Sequence, residues 1–310
     1  MSALTAAQIA ERMKGIGGSD AAAVLGLSKF KTQRQLYHEK RGEWPADMES
    51  PESEVIWWGR ALEPIVRQKY AETTGRTVRV PPGTLHHRQH DFMIAHIDGF
   101  TLEPGAQSIE PASCRGYEGK TAMLSTGWGE EGTDQIPRDY LIQVHHYLAV
   151  TGFPSFDVCC LIGRRFAAYE VKRDEEMIGM LVEAEGEFWA RVRAGDPPPL
   201  EYQHKTAIDV VKKLHPGTNG KRLVASADAI AWRAQLEAAN KALAAAKATA
   251  DAMKARLLEE MGDAALLAFP DGKCYRRQTV TRSAYTVEET SYVDARFIND
   301  GKAPALRAGR

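Results

Sequence analysis

The sequence predicts an α/β (α+β) protein with a long helix and a β-hairpin added at its C-terminal end. Segments in which apolar residues recur at helical spacing alternate with short runs rich in β-branched and aromatic residues. A proline run at residues 197–199 then precedes a stretch rich in Ala, Lys and Glu. Because proline runs commonly mark domain boundaries, we expect two domains, residues 1–199 and residues 200–310.

The predicted elements of the first domain follow one another in a mixed order. Capping residues and apolar periodicity predict helices at residues 19–26, 30–41, 61–75, 137–152 and 174–193. Short apolar runs predict strands at residues 77–81, 92–98, 156–162 and 165–171, and Gly163 turns the last two into a hairpin.

The second domain is predicted to contain one long helix over residues 226–261, followed by two strands that turn at Asp271-Gly272. Its apolar residues repeat at alternating steps of three and four, which is typical of a coiled-coil seam. The seam consists of Leu236, Ala239, Leu243, Ala246, Ala250, Met253 and Leu257. Its alanines make it thin, so its partner is either the chain's own hairpin or another chain.

The composition is that of an ordinary globular protein. The chain has 310 residues, of which 44% are hydrophobic and 26% charged, and its net charge is −1. This balance excludes a histone-like polycation but not a nucleic-acid enzyme, since basic residues can be concentrated in one groove. No apolar run approaches about 20 residues, and the first residues lack the layout of a secretion signal. We therefore expect a cytoplasmic protein that does not span a membrane.

The cysteines and histidines predict no metal site. The four cysteines contain no Cys-x-x-Cys pair, which argues against a zinc ribbon. Cys159 and Cys160 are expected to be buried on opposite faces of a strand, in a reducing compartment. The doublets His86-His87 and His145-His146 are expected at the surface, because neighbouring side chains diverge on a strand or a helix.

An anion site is one interpretation of the residues between Arg12 and Asp20. Ser19 is expected to cap a helix that Gly26 ends, and Gly17-Gly18 leaves the backbone exposed just before it. Exposed amides at a helix start bind anions, and Arg12 and Lys14 would complete such a site. The alternative is a capped helix after a flexible loop.

Glu63 precedes Pro64 in the next predicted helix. Because proline fits best in the first helical turn, we expect Glu63 at the helix start. A carboxylate at that position is favoured by the helix dipole and so caps the helix, or it points at a metal site.

The chemistry is expected around Asp98, Glu118 and Lys120. In a hairpin, Asp98 would end one strand, and Glu118 and Lys120 would share one face of the neighbouring strand. Two carboxylates hold a hard cation such as Mg²⁺, and a lysine beside them positions a metal-bound water or neutralises charge on a phosphate. The pattern suits phosphodiester hydrolysis; its alternative is a solvated strand face with an ion pair.

Over about residues 8–194, this order of elements and the opening Gly-Ile-Gly-Gly-Ser-Asp-Ala resemble the YqaJ-type viral recombinases. These are phage alkaline exonucleases of the lambda-exonuclease type, within the PD-(D/E)xK nuclease superfamily. The resemblance implies a restriction-endonuclease-like core, in which a mixed central β-sheet is flanked by helices.

The resemblance also implies roles for individual residues. Asp98 and Glu118 match the metal carboxylates, the Gly119 carbonyl is a third metal ligand, and Lys120 matches the catalytic lysine. Glu63 matches an upstream helix acid that organises metal and water.

Arg12 and Ser19 have the spacing of the residues that hold a 5′ phosphate, and Gln143 matches a glutamine near the active site. Gly119 departs from the family, which usually has an apolar residue there; glycine weakens a strand locally and puts metal geometry in question.

The implied activity is digestion of one strand of linear duplex DNA from its 5′ end with Mg²⁺ or Mn²⁺, which leaves 3′ single-stranded tails for phage-type recombination. The implied partners are duplex DNA ends, a single-strand annealing protein and further copies of the chain in a ring, possibly a trimer. A phage or prophage protein working in a bacterial host is expected. The alternatives are an endonuclease of the same fold, restriction or structure-specific, and a non-catalytic module that binds DNA or a recombination protein.

Overall fold

The computed structural model describes residues 10–45, 54–104 and 109–281, and its elements include eight strands. The strands are β1 Leu85–His86, β2 Ile94–Ala95, β3 Gly99–Leu102, β4 Cys114–Ala122, β5 Ser155–Ile162, β6 Arg165–Lys172, β7 Leu266–Ala268 and β8 Cys274–Arg276. The helices are α1 Gly18–Val24, α2 Gln33–Lys40, α3 Glu54–Thr74, α4 Arg138–Thr151, α5 Glu175–Ala194, α6 Ala207–Leu214 and α7 Ala227–Met261.

A four-stranded mixed sheet in the order β3-β4-β5-β6 positions the candidate site. β3 pairs antiparallel with β4, β4 runs parallel to β5, and β5 pairs antiparallel with β6. Gly163, with φ of 59°, makes the tight β5–β6 turn that the sequence predicts. A parallel pair needs a crossover connection, and α4 provides it between β4 and β5.

Helices cover both faces of this sheet, which confirms the predicted architecture. On one face, Val144 and Leu148 of α4 pack with Phe156 and Cys160. On the other face, Val66 and Tyr70 of α3 pack with Tyr117 and Cys159. The adjacent cysteines are therefore buried on opposite faces, as predicted.

The chain divides into two compact units between Pro216 and Gly217. Residues 198–204 are held to the first unit by hydrogen bonds from Arg34 Nε to the Pro198 carbonyl (2.5 Å) and from the Gln33 amide to Glu201 Oε1 (2.8 Å). The boundary expected after residue 199 stays a prediction.

The second unit contains the predicted long helix and hairpin. Ser226 caps α7 by accepting a hydrogen bond from the Ala229 amide (3.1 Å), and β7 pairs antiparallel with β8 around Gly272. Leu236 and Leu243 of the predicted seam are exposed, so its partner stays a prediction. Residues 282–310 lie outside the described residues. In the described part of the chain, the helices are too short or too polar to cross a membrane.

Two predicted strands are wrong. Residues 77–81 form only one bridge, Arg79 to Phe100, because the following prolines cannot donate ladder hydrogen bonds. Of residues 92–98, only β2 is a strand, and it pairs with β1. Asp98 therefore lies just before β3 and does not end the preceding strand.

Two predicted helix starts are also wrong. α3 begins at Glu54, so Glu63 and Pro64 lie inside it. Pro64 is on the exposed side of α3, where water can satisfy the carbonyl left by its missing N–H. α1 is capped by Gly17 and not by Ser19, because the Asp20 carboxylate accepts the Gly17 amide (3.3 Å).

His145 and His146 are buried, so their predicted surface location is wrong. His146 Nε2 bonds to the Ile94 carbonyl (2.9 Å) and Nδ1 to Glu185 Oε1 of α5 (2.8 Å). Burial raises the pKa of Glu185. Burial lowers the pKa of His146, but the Glu185 carboxylate outweighs it and raises that pKa above its ordinary value. The pair ties α4 to α5 and β2.

We expect the stability of the chain to fall as pH rises. Both pKa values are raised, so the folded chain holds protons that the unfolded chain releases. This contribution is complete below the ordinary pKa values of the two groups, 4.5 for the glutamate and 6.5 for the histidine, and is lost as pH rises through and above them. Glu185→Gln should flatten this dependence and cost about 1–3 kcal/mol near pH 6. Urea unfolding of the full chain at pH values below and above these two measures both effects.

Glu187→Gln is the matched control, since Glu187 lies on the same helix but is exposed. It should unfold like the wild type at each pH. A Glu185→Gln variant with the pH profile of the wild type would contradict the role of this pair.

Candidate active site

Glu118 and Lys120 lie on β4 with their side chains on the same face, as predicted. Lys120 Nζ donates to Glu118 Oε1 (2.7 Å). Glu118 is only 2% exposed. Because a buried carboxylate is costly without partners, this is no solvated strand face.

Asp98 reaches this pair through the backbone of β4. The Gly119 amide donates to Asp98 Oδ2 (2.9 Å). The pairing of Gly99 with Tyr117 sets the register that places Asp98 beside Gly119. Sheet pairing therefore brings together two acids that are 20 positions apart in the sequence.

Gln143 completes the polar cluster from α4. Its Nε2 donates to Glu118 Oε1 (3.0 Å) and to the Tyr147 hydroxyl (2.8 Å), and its Oε1 accepts from Lys120 (3.2 Å). Lys120 Nζ also lies 4.7 Å from the ring centre of Tyr140, a cation–π distance. Lys120 is thus held on three sides by groups suited to a cation.

Burial sets the ionisation of the two acids. It raises the pKa of Glu118 to about 7; Lys120 lowers that pKa and the nearby Asp98 raises it. Burial also raises the pKa of Asp98, against the hydrogen bond from the Gly119 amide. Two desolvated carboxylates side by side favour either proton uptake or a bound cation.

The donor set fits a hard divalent cation. Glu118 Oε2 is buried and has no hydrogen-bond partner of ordinary geometry among the described residues, although the backbone amide of Asp98 is close enough to lower the pKa of Glu118. Such an orphaned oxygen is costly unless it binds something. Mg²⁺ takes one or two protein carboxylates and keeps several waters, so Asp98 and Glu118 suffice.

The Gly119 carbonyl is also available to a ligand. In a strand, the N–H and C=O of one residue point to the same edge, and the Gly119 N–H points to Asp98. β3 pairs with β4 only up to Tyr117, so the ladder has ended before Gly119 on that edge.

Gly119 leaves β4 intact. The register with β5 runs unbroken from Gly116 to Ala122. A Cβ atom at Gly119 would lie 3.0 Å from the Tyr117 hydroxyl and 3.7 Å from Asp98 Oδ2. A side chain at position 119 would therefore require the Tyr117 hydroxyl to shift by a few tenths of an ångström.

Glu63 lies next to this cluster without joining it. It pairs with Arg67 one helical turn away, at 2.5 Å. Burial raises its pKa, and Asp98 raises it further, so the two acids are within electrostatic reach. Among the residues that the structure describes, no group of three His, Cys, Asp or Glu side chains is arranged to hold a metal ion.

Arg12 and Ser19 line a cavity of about 260 Å³, which we call the Arg12 cavity. Within it, Arg12 Nη2 lies 3.2 Å from Ser19 Oγ. The expected exposed amides are only partly there, because Gly17 donates to Asp20 and the Tyr147 ring covers Gly18. Lys14 does not complete the site, since it pairs with Glu11 (2.6 Å).

Several residues of the Glu118 cluster and of the Arg12 cavity were not predicted from the sequence. Lys40, Asp20 and His96 line the Arg12 cavity, and no local pattern points to them. Tyr140 and Tyr147 also contact the Glu118 cluster, because Lys120 lies over the Tyr140 ring and the Tyr147 hydroxyl accepts a hydrogen bond from Gln143. Their spacing of three and four from Gln143, which puts them on one side of a helix, was the available signal.

Comparison with known proteins gives one family. Residues 9–154 match the YqaJ-like viral recombinase domain. The chain is 33% identical to the uncharacterized protein YqaJ of Bacillus subtilis (strain 168) over 218 residues, which are 69% of this chain. The chain spans 64% of the length of that relative.

Solved structures are more distant. An alkaline exonuclease (LHK-Exo) from Laribacter hongkongensis is 19% identical, with a TM-score of 0.47, and the match covers 66% of this chain and 100% of that one. A phage related exonuclease from Haemophilus somnus 129PT is 13% identical, with a TM-score of 0.41, covering 58% of this chain and 96% of that one.

The predicted resemblance to the YqaJ-type viral recombinases is therefore confirmed by the match over residues 9–154 and by the identity to YqaJ.

Proposed function

We propose that this chain is a metal-dependent deoxyribonuclease that digests one strand of linear duplex DNA from its 5′ end and leaves 3′ tails for recombination. The observation that carries the proposal is the buried Glu118 carboxylate, which has one oxygen bound by Lys120 and Gln143 and the other without a hydrogen-bond partner of ordinary geometry among the described residues. The match of residues 9–154 to the YqaJ-like viral recombinase domain supports it.

A divalent cation, Mg²⁺ or Mn²⁺, would be held by Asp98, Glu118 and the carbonyl of Gly119. When bound, it supplies Lewis-acid activation of water and phosphate. The chain fixes its own ligands beforehand: the Gly119 amide orients Asp98, and Gln143 and Lys120 orient Glu118. Glu63, held by Arg67, adds a negative charge at the α3 side of the site.

Lys120 acts as a cation in this proposal. Its ammonium group is oriented by Glu118, Gln143 and the Tyr140 ring, so little reorganisation is needed when charge develops on a scissile phosphate. Preoriented donors of this kind are often the largest single contribution to catalysis.

The Arg12 cavity would receive the terminal 5′ phosphate. Arg12 supplies a fixed positive charge and Ser19 a hydroxyl, both exposed to the cavity. Tyr147 lines this cavity and accepts a hydrogen bond from Gln143, so Gln143 connects the end-binding cavity to the catalytic cluster. A ring-shaped homo-oligomer, possibly a trimer, and a single-strand annealing partner follow from the family and are part of the proposal.

The direct test is Mg²⁺-dependent digestion of linear duplex DNA labelled at either end, beside a closed circle. We expect release from the 5′-labelled end, an intact circle and no reaction in EDTA. Nicking of the circle would indicate an endonuclease. No cleavage with Mg²⁺ or Mn²⁺ would indicate a module that binds DNA or a recombination protein.

Lys120→Ala should slow cleavage by about 10²–10³-fold, because it removes the preoriented cation, and should leave DNA binding unchanged. Single-turnover cleavage and binding in EDTA measure the two quantities. Lys172→Ala, an exposed lysine on β6, is the matched control and should cleave like the wild type. Unchanged turnover in Lys120→Ala would remove Lys120 from the mechanism.

Arg12→Ala should reduce the preference for 5′-phosphorylated over 5′-hydroxyl ends by about tenfold, the effect of one charge-assisted hydrogen bond. Rates on the two kinds of end give the ratio. Lys29→Ala removes an exposed cation elsewhere and should keep the ratio. A wild type that digests both ends equally would exclude this role of Arg12.

A further inference from the structure

Lys40 is an unusual residue of the Arg12 cavity because it is a lysine that is only 8% exposed. Its Nζ donates to the Arg12 carbonyl (2.7 Å) and to Asp20 Oδ2 (2.7 Å). It lies at the C-terminal end of α2, whereas Arg12 and Asp20 precede and begin α1. Lys40 therefore joins two separate chain segments beneath the cavity.

The acid in this cavity does not make it negative. Burial raises the pKa of Asp20, but Lys40 and Lys31 outweigh this and lower it to about 2, so the carboxylate is ionised and paired. Lys40 lies 2.7 Å and Lys31 3.6 Å from its oxygens. Lys31 does not line the cavity and is itself paired with Glu39 (2.6 Å). Arg12 and Lys40 are therefore the cations that face Asp20 there, and the cavity keeps a net positive charge suited to an anion.

Lys40 has one more donor than these partners use. A lysine ammonium carries three N–H donors and no acceptor. The Arg12 carbonyl and the Asp20 carboxylate accept two of these N–H groups. Among the described residues, the third N–H has no hydrogen-bond acceptor. Since Lys40 lines the cavity beside Arg12 and Ser19, the third N–H is available to a ligand there.

We infer that Lys40 is a phosphate-binding residue of this cavity: it donates its third N–H to a terminal phosphomonoester and, by holding the Arg12 carbonyl, places the Arg12 guanidinium on the same phosphate. The inference rests on the proposed function and adds a residue to its end recognition. Asp20 is the buried partner of Lys40 in the absence of DNA, at 2.7 Å.

The test compares Lys40→Met with Lys31→Met in the full chain. Both substitutions remove a cation that pairs with Asp20, but only Lys40 lines the cavity. Binding of 5′-phosphorylated and 5′-hydroxyl duplex ends is measured in EDTA by fluorescence anisotropy. We expect Lys40→Met to lower the preference for the phosphorylated end by about tenfold and Lys31→Met to keep it.

A double variant covers the case in which Lys40→Met does not fold. Removing one partner of a buried pair leaves an uncompensated charge. Lys40→Met alone therefore leaves the Asp20 carboxylate buried without this partner, which destabilises the fold. Asp20→Asn with Lys40→Met removes both charges and should fold, as checked by thermal unfolding, while still lacking the lysine donor. It should show the same loss of phosphate preference.

Three results would overturn the inference: a double variant with the preference of the wild type, an equal loss in Lys31→Met, or a wild type that binds both ends equally. Because binding is measured in EDTA, these results are independent of cleavage. Absence of cleavage in a wild type that still prefers phosphorylated ends would overturn the nuclease proposal and keep the role of Lys40.

Discussion

The burial of the Glu118 carboxylate governs the arrangement of the surrounding residues, because a charge in the protein interior must be offset by partners. Lys120, two residues along the same strand, and Gln143, on the crossover helix, both bond to Oε1. These contacts leave Oε2 without a hydrogen-bond partner of ordinary geometry among the described residues, beside Asp98. The fold thus keeps one carboxylate oxygen desolvated and unpaired, which is a destabilising state that a bound cation would relieve.

The parallel pairing of β4 and β5 makes this arrangement possible. It requires the chain to cross from one strand to the next, and α4 makes the crossing over the face that carries Glu118. Gln143 and Tyr147, one turn apart on α4, therefore contact the Glu118 cluster and the Arg12 cavity respectively. One helix sets the spacing between the proposed site for the DNA end and the proposed site of cleavage.

The position of α4 is in turn fixed by a buried ion pair. His146 of α4 bonds to Glu185 on α5 and to the backbone of β2. β2 lies shortly before Asp98, so the same contacts that hold α4 also hold the segment that carries Asp98. A polar core of this kind costs stability compared with apolar packing, but it allows few alternative positions for the helix.

The residue types and their spacing on single elements were readable from the sequence. The Glu118-x-Lys120 pair shares a strand face because side chains alternate, and the β5–β6 hairpin and the long helix α7 follow from local periodicity and capping. The family resemblance rested on these local patterns joined in order. Ser19 and Pro64 misled because a helix can begin before its strongest local signal. The Asp20 carboxylate caps the helix at Gly17, and α3 begins at Glu54, well before Pro64.

Only the tertiary structure decided how distant segments meet. The hydrogen bond from Gly119 to Asp98, the burial of His146 against Glu185 and the bridge from Lys40 to Arg12 and Asp20 each join residues at least 20 positions apart. Local propensity carries no information about such pairs, because their energy arises from burial and desolvation after the elements have packed. The sequence by itself therefore determined which groups are available and on which element, and packing decided which of them share a buried site.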